Sequence, residues 1–145
     1  MKLPEYITVG EVKRVCRELK IRDWTSMKVA KALPKEAGII LSHVNTEKMK
    51  VPLAEFRRGL EVELEHGTQF RDANVTNNHP ILTGKIVLAH LKEMMDYYER
   101  LEVAELEGDL LKATIAMDAA NIKKYFKRLV AAKSDLNKAE SDQLG

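Results

Sequence analysis

Residues 52–67 read PLAEFRRGLEVELEHG, and this stretch decides the fold class. Helical residues advance by about 100° each, so Phe56, Leu60 and Leu64 fall on one stripe while most charged residues spread over the remaining circumference. An apolar stripe of this period is typical of an amphipathic helix packed on a core. Gly67 follows as a C-terminal stop, so the pattern predicts a helix that ends beside it.

The segments on either side also carry helical patterns, and none alternates as a half-buried strand does. Thr8 and Glu11 have capping-box spacing, and Pro34 is well placed as the first residue of a helix. The predicted helices span residues 8–20, 27–33, 34–43, 52–66, 80–107 and 109–140, with a break at Gly108. We therefore expect an all-α fold, a compact helical bundle of about five to six helices with a long C-terminal helix.

Composition argues against several classes of protein. Lys and Arg total 24 against 22 acidic residues, whereas proteins that grip nucleic acid usually show a larger imbalance or a basic block. Cys16 is the only cysteine, so no internal disulfide forms and a reducing compartment is expected. The N-terminus lacks the apolar run of a signal peptide, and no stretch reaches the roughly 20 apolar residues of a membrane span. We expect a cytoplasmic protein without membrane or nucleic-acid contacts.

The helix predicted over 52–66 carries polar side chains close to its apolar stripe. Glu63 falls beside the stripe, and His66 follows three residues later at its margin. Glu61 and Glu65 fall on the opposite side, as ordinary solvent-exposed carboxylates do. The last turn of this helix therefore presents a Glu-x-x-His pair.

The helix predicted over 80–107 shows the mirror arrangement. With Ile86 taken as the centre of its apolar face, His90 and Glu93 fall on that face as a His-x-x-Glu pair. Tyr97 follows one turn later on the same side. Two neighbouring helices are thus expected to direct histidine and glutamate inward.

The four groups in question are Glu63, His66, His90 and Glu93. A buried carboxylate without a partner costs several kcal/mol, so these groups need partners. Three interpretations of how they are satisfied stay open. The leading interpretation needs no cofactor: each histidine pairs with the glutamate of the other helix, and Tyr97 or Arg100 completes a polar network in the core. The second is a metal site formed by the same four residues, whose ligand types suit Zn, Fe or Mn, although the second Glu-x-x-His of di-iron bundles is missing. The third is a substrate site.

The C-terminal segment carries a heptad seam. Apolar residues alternate at spacings of four and three, interrupted once by the polar Asp118. A second row through Phe126 and Val130 widens the apolar surface, which suits packing on more than one neighbour. The seam predicts contact with the chain's own helices or with a partner, in a homo-oligomer or a larger protein assembly. The predicted interface residues are Leu111, Ile115, Ile122, Tyr125, Leu129 and Leu136.

Several short motifs occur together in the centre of the chain. They are VELEHG at 62–67, NVTN at 74–77, TGKI at 83–86, AHLKE at 89–93 and DYYERLE at 96–102. The combination resembles a family of small bacterial and phage proteins known only as a domain of unknown function. The resemblance implies no activity, cofactor or substrate, but it places the histidine motifs in the family's shared centre.

The same resemblance predicts the domain organisation. It spans residues 8–24 and 52–102, so residues 25–51 read as an insertion. The helix after Gly108 reads as an added element. We expect a helical core domain over 1–107, and a C-terminal helix over 108–145 that packs on that core or on a partner.

These patterns favour a non-enzymatic function. The chain contains no nucleophile elbow, phosphate loop or dinucleotide fingerprint. The leading hypothesis is a structural or interaction protein that assembles through its C-terminal helix, as a component of a phage or another large assembly, with a virion location if it is phage-encoded. The alternative is a helical metal-binding protein with a Glu/His site between two core helices.

Overall fold

A computed structural model describes residues 4–145 of the chain, which contain six α-helices and no strand. The helices are α1 (Val9–Leu19), α2 (Pro34–Val44), α3 (Leu53–Gln69), α4 (Pro80–Glu93), α5 (Tyr97–Ile115) and α6 (Ala119–Leu144). Short 3-10 turns lie at Trp24–Ser26 and Arg71–Ala73. The predictions of an all-α fold and of a long last helix are confirmed.

Two helix starts follow directly from local chemistry. The Thr8 hydroxyl accepts a hydrogen bond from the Glu11 backbone N–H at 3.1 Å, which satisfies a donor that the first turn of α1 leaves open. Pro34 is the first residue of α2, where its missing N–H costs nothing. Both starts were predicted from the sequence.

The short helix predicted over residues 27–33 does not form. Leu33 precedes a proline, which disfavours helical backbone at that residue. The amide N–H of Ala32 donates to the Glu61 carboxylate at 3.2 Å, and that of Leu33 donates to Glu36 at 2.9 Å. Side-chain acceptors thus take the hydrogen bonds that a helix would have made.

The helix break predicted at Gly108 is also wrong, because Gly108 lies inside α5. Glycine within a helix costs only about 1 kcal/mol relative to alanine, so its presence does not force an end. The chain instead reverses at residues 116–118. There Met117 takes a left-handed backbone with φ 53°, and the Asp118 carboxylate caps α6 by accepting from the Asn121 N–H at 3.0 Å.

The chain divides into two compact units, one up to Lys92 and the other Glu93–Gly145. The first unit contains α1 to α3 and nearly all of α4, and α2 packs on α3. Its largest fully buried side chains are Trp24, Phe56, Ile40, Leu60, Leu64, Leu91, Val12 and Val87. The second unit contains α5 and α6.

In the second unit α5 and α6 form an antiparallel hairpin. Leu106 is buried with Leu129 and Ala132 across the seam between the two helices. At the open end, Asp96 accepts two hydrogen bonds from Arg100, at 3.0 and 2.8 Å, and one from Gln143 at 3.0 Å. The guanidinium hydrogen bonds keep the pKa of the Asp96 carboxyl below its usual range despite burial. The two helices are therefore linked at one end by the chain reversal and at the other by the hydrogen bonds of Asp96.

At Gly84, α4 comes close to its neighbours in the first unit. A Cβ at this position would lie 2.6 Å from Cγ2 of Ile40 and 3.4 Å from Cζ of Phe56. Both neighbours are buried, with no room to move aside. The absence of a side chain at Gly84 lets α4 sit against α2 and α3.

Gly84→Ala is expected to destabilise the protein by up to about 2 kcal/mol. Overpacking a core costs about 1–3 kcal/mol, from which the roughly 1 kcal/mol gained in helix propensity is subtracted. Gly38→Ala in α2 is the matched control, since a Cβ there meets nothing within 4 Å, and it should leave stability unchanged or raise it. Urea unfolding of the three proteins measures this. A Gly84→Ala variant as stable as Gly38→Ala would contradict the close approach.

Candidate functional site

The buried face of α4 differs from the predicted one. Val87, Leu88 and Leu91 are buried, whereas Ile86, taken as the centre of the face, is exposed. Both sides of this helix are rich in apolar residues, so periodicity alone does not choose between them. Because the buried face of α4 is rotated about the helix axis from the predicted one, His90 is only partly buried.

Of the four predicted Glu/His residues, the structure brings two together. Nε2 of His90 lies 3.5 Å from Oε1 of Glu63, and both side chains are partly buried. His66 and Glu93 are exposed. Across residues 4–145, no group of three or more His, Cys, Asp or Glu is placed to hold a metal ion. The metal site therefore stays a prediction without geometric support.

The two residues expected to complete the network have partners within the second unit. Arg100 binds Asp96 and, at 2.8 Å, the Glu140 carboxylate. The Tyr97 ring packs edge-on against Tyr98, with ring centroids 5.1 Å apart. Arg100 thus closes the end of the hairpin.

Glu36 is a buried charge that the sequence analysis missed. Its carboxylate is 3% exposed and accepts from Nε of Arg22 at 2.8 Å, from a terminal nitrogen of Arg22 at 2.7 Å, and from the backbone N–H of Leu33. Burial raises the pKa of Glu36, but these hydrogen bonds outweigh it and hold the pKa below its usual value. The pair ties the segment before α2 to the start of that helix.

His79 is a second buried polar group. Its Nδ1 accepts from the Leu82 backbone N–H at 3.4 Å and its carbonyl from Thr83, so the residue caps α4 ahead of Pro80. Burial lowers the pKa of His79, which outweighs the opposite effect of the nearby Glu11 charge. Only the neutral ring leaves Nδ1 free to accept, so burial and capping favour the same state.

The segment 74–78, NVTNN, forms a loop braced by its own asparagines, here called the asparagine loop. Nδ2 of Asn74 donates to the Gly67 carbonyl at 3.2 Å and to Oδ1 of Asn78 at 3.0 Å. A Cβ on Gly67 would overlap Oδ1 of Asn78 and lie 2.8 Å from Nδ2 of Asn74. Gly67 is thus needed for this contact, and α3 continues past it to Gln69 instead of stopping there.

The asparagine loop also holds two distant segments. Nδ2 of Asn77 donates to the Ile7 carbonyl at 2.7 Å, and Nδ2 of Asn78 donates to the Trp24 carbonyl at 3.2 Å. Both asparagines have positive φ, 49° and 60°, a conformation that asparagine tolerates better than most residues. The loop therefore has a fixed shape.

A cavity of about 290 Å³ opens beside the asparagine loop, within the first unit. Its walls come from the segment after Trp24, the end of α3 and the loop itself. The lining includes Thr25, Ser26, Lys28, Arg71, Asn77 and Asn78. It is a polar cavity with two cationic side chains.

Six large apolar side chains of the hairpin stay exposed; two are Met117 in the turn and Leu144 at the end of α6, and we call the other four the hairpin face. They are Leu111 (60% exposed), Ile115 (74%), Phe126 (59%) and Val130 (57%). Of the other residues in the predicted seam, Leu129 is buried and Ile122, Tyr125 and Leu136 are partly buried. Because the chain reverses at 116–118, the single continuous seam predicted along one helix does not exist.

Taken together, the fold defines a small all-helical protein with a polar cavity in one unit and an exposed apolar face on the other. A family described as "Protein of unknown function (DUF5661)" matches residues 12–107, about two thirds of the chain, and the chain belongs to this family. Residues 108–145, which include all of α6, lie outside the matched range.

No curated protein and no solved structure gives a significant match to the chain. Within the part of the chain that the structure describes, no helix combines the length and the apolar character needed to cross a membrane.

Glu36→Gln is expected to destabilise the protein by about 2 kcal/mol, because it leaves Arg22 without its buried carboxylate partner. The pKa of Glu36 is lowered in the folded state, so its contribution is present above pH 4.5 and is lost as pH falls through the folded pKa. Glu18→Gln, at an exposed ion pair with Arg14, is the control and should change stability by less than about 1 kcal/mol. Equal urea midpoints for both variants would contradict the role of Glu36.

His79→Asn should flatten the pH dependence of stability. The folded-state pKa of His79 lies below its ordinary value of 6.5, so the unfolded chain binds the extra proton first. The contribution of His79 is therefore complete above pH 6.5 and is lost as pH falls. Asparagine caps helices without titrating in this range. Urea unfolding at several pH values below neutrality checks this, and parallel curves for wild type and variant would refute it.

Proposed function

We propose that this protein is a non-enzymatic interaction protein that pairs with a second copy of itself through the hairpin face. The observation that carries the proposal is the exposure of four large apolar side chains on one hairpin. Contiguous apolar surface of this kind marks protein–protein contacts far more often than isolated exposed residues do.

The four side chains lie on one side of the hairpin. Nζ of Lys133 lies 3.1 Å from the Glu107 carboxylate, so this ion pair bridges α5 and α6 on that side. Leu111 is one helical turn after Glu107, and Val130 is one turn before Lys133. Ile115 and Phe126 extend the two rows by a further turn, towards the chain reversal. The apolar surface is thus shared by both helices.

Charge favours a second copy as the occupant. α5 carries five acidic residues, Glu99, Glu102, Glu105, Glu107 and Asp109, against two basic ones, Arg100 and Lys112. Over residues 119–134 of α6 the charged residues are all basic: Lys123, Lys124, Lys127, Arg128 and Lys133. If α5 of one protomer lies against α6 of its partner in a two-fold symmetric dimer, symmetry makes that contact twice. Arg128 and Lys133 already pair with Glu102 and Glu107 within one hairpin. Lys123 and Lys127 form no ion pair among the described residues, and they are the basic groups of α6 left to meet the acidic α5 of the partner.

This proposal replaces the continuous seam with a face formed by two helices, and it keeps the expectation of assembly. The resemblance to a family of bacterial and phage proteins suggests, for a phage-encoded member, that such a dimer is a building block of a larger particle. The proposal of pairing itself does not depend on that resemblance. It is supported by the exposed apolar face and by the charges around it.

Phe126→Ser with Val130→Ser should convert a dimer into a monomer. Light scattering after size exclusion is expected to give wild type about twice the chain mass of 16.5 kDa, and the variant the single mass. Both positions are exposed, so helical content measured by circular dichroism should not change.

The matched control is Val29→Ser with Val75→Ser, which removes two exposed apolar side chains from the first unit. This variant should remain dimeric. A wild-type protein that stays monomeric at every concentration, or a control that dissociates as readily as the hairpin variant, would overturn the proposal.

A further inference from the structure

The cavity beside the asparagine loop contains two cationic side chains that no protein carboxylate neutralises. Lys28 and Arg71 both line it, and within the described chain the side chain of neither forms an ion pair or hydrogen bond. Arg14, Arg22 and Arg57 of the same unit, by contrast, each pair with a glutamate. Two unpaired cations at one cavity attract an anion.

The remaining donors around the cavity are largely occupied. The Thr25 hydroxyl donates to the Asp23 carboxylate at 2.6 Å, and the Ser26 hydroxyl donates to the Asp23 carbonyl at 3.0 Å. Both hydrogens of the Asn77 amide are used, on Ile7 and Glu5. The charged part of a ligand must therefore be bound by Lys28 and Arg71.

The same groups keep acceptor capacity. A hydroxyl oxygen that donates its hydrogen still has lone pairs to accept with, and a side-chain amide oxygen accepts as well. Thr25, Ser26 and Asn77, which line the cavity, carry such oxygens. Lone-pair acceptors suit a ligand that carries hydroxyl groups.

We propose that this cavity binds a small sugar phosphate, with Lys28 and Arg71 on the phosphate and Thr25, Ser26 and Asn77 accepting from the sugar hydroxyls. A phosphate monoester dianion matches two cations, and the guanidinium fork suits phosphate oxygens. The volume of about 290 Å³ exceeds that of an inorganic anion and lies near the lower end of small-ligand pockets.

The asparagine loop gives the site its fixed geometry. Asn74 and Asn78 are hydrogen-bonded to each other, Asn74 also to Gly67 in α3 and Asn78 also to Trp24, so this wall does not need to be ordered when a ligand enters. A wall that is already ordered spares the entropy that binding otherwise costs. Lys28 and Arg71 are exposed and are the mobile part of the site.

Calorimetric titration of the full chain with ribose 5-phosphate tests the proposal, with ribose and inorganic phosphate as separate probes. Ribose 5-phosphate should bind more tightly than inorganic phosphate, and ribose should give no measurable binding. Lys28→Gln with Arg71→Gln should weaken ribose 5-phosphate binding by about tenfold or more, because it removes both charged contacts. Lys50→Gln with Lys85→Gln, which removes the same charge from exposed positions elsewhere in the unit, should leave affinity unchanged.

A second measurement locates the site independently of any variant. Met27 lines the cavity, whereas Met94 and Met117 belong to the other unit. In methionine-methyl NMR spectra, ribose 5-phosphate should shift the Met27 signal and leave those of Met94 and Met117 in place. No binding of ribose 5-phosphate, equal affinity for inorganic phosphate, equal weakening in both variant pairs, or an unmoved Met27 signal would each overturn the proposal.

Discussion

The chain reversal at residues 116–118 is the constraint on which the second unit depends. Met117 adopts a left-handed backbone, which costs a non-glycine residue about 1–2 kcal/mol. Hydrogen bonds from the Met117 and Asp118 N–H groups to the end of α5, each 3.0 Å, stabilise the turn. Because the chain folds back here, Leu106 is buried against α6, while Leu111 on the other side of α5 stays exposed. One turn therefore creates both the hairpin's core and its exposed apolar face.

The fold could be predicted where the signal is local. The Thr8 cap and the Pro34 start each need only a few neighbouring residues, and the apolar stripe of α3 needs only its own period. The reversal at Met117 could not be predicted, because no glycine or proline marks it. The helix end was predicted at Gly108 instead, and that prediction was wrong. Glycine is a weak stop when the helix around it is stabilised by packing.

The candidate sites were harder to predict, because they join distant parts of the chain. Glu36 and Arg22 are 14 positions apart, and no helical period relates them. The buried face of α4 was predicted wrongly because apolar residues lie on all sides of this helix. In the structure His90 is only partly buried, and it lies near Glu63 at the edge of the core. The NVTN motif was recognised from the sequence, but its contacts with Ile7 and Trp24 appear only in the fold.

The central claim is that the hairpin face is covered by a second copy of the chain. Amide hydrogen exchange at low and high protein concentration tests it directly, since pairing suppresses local opening only in the helices that it joins. Amides of α5 and α6 near Leu111 and Phe126 should exchange more slowly in concentrated protein, while those of α1 keep the same rate. Identical exchange of the hairpin at both concentrations would contradict the account.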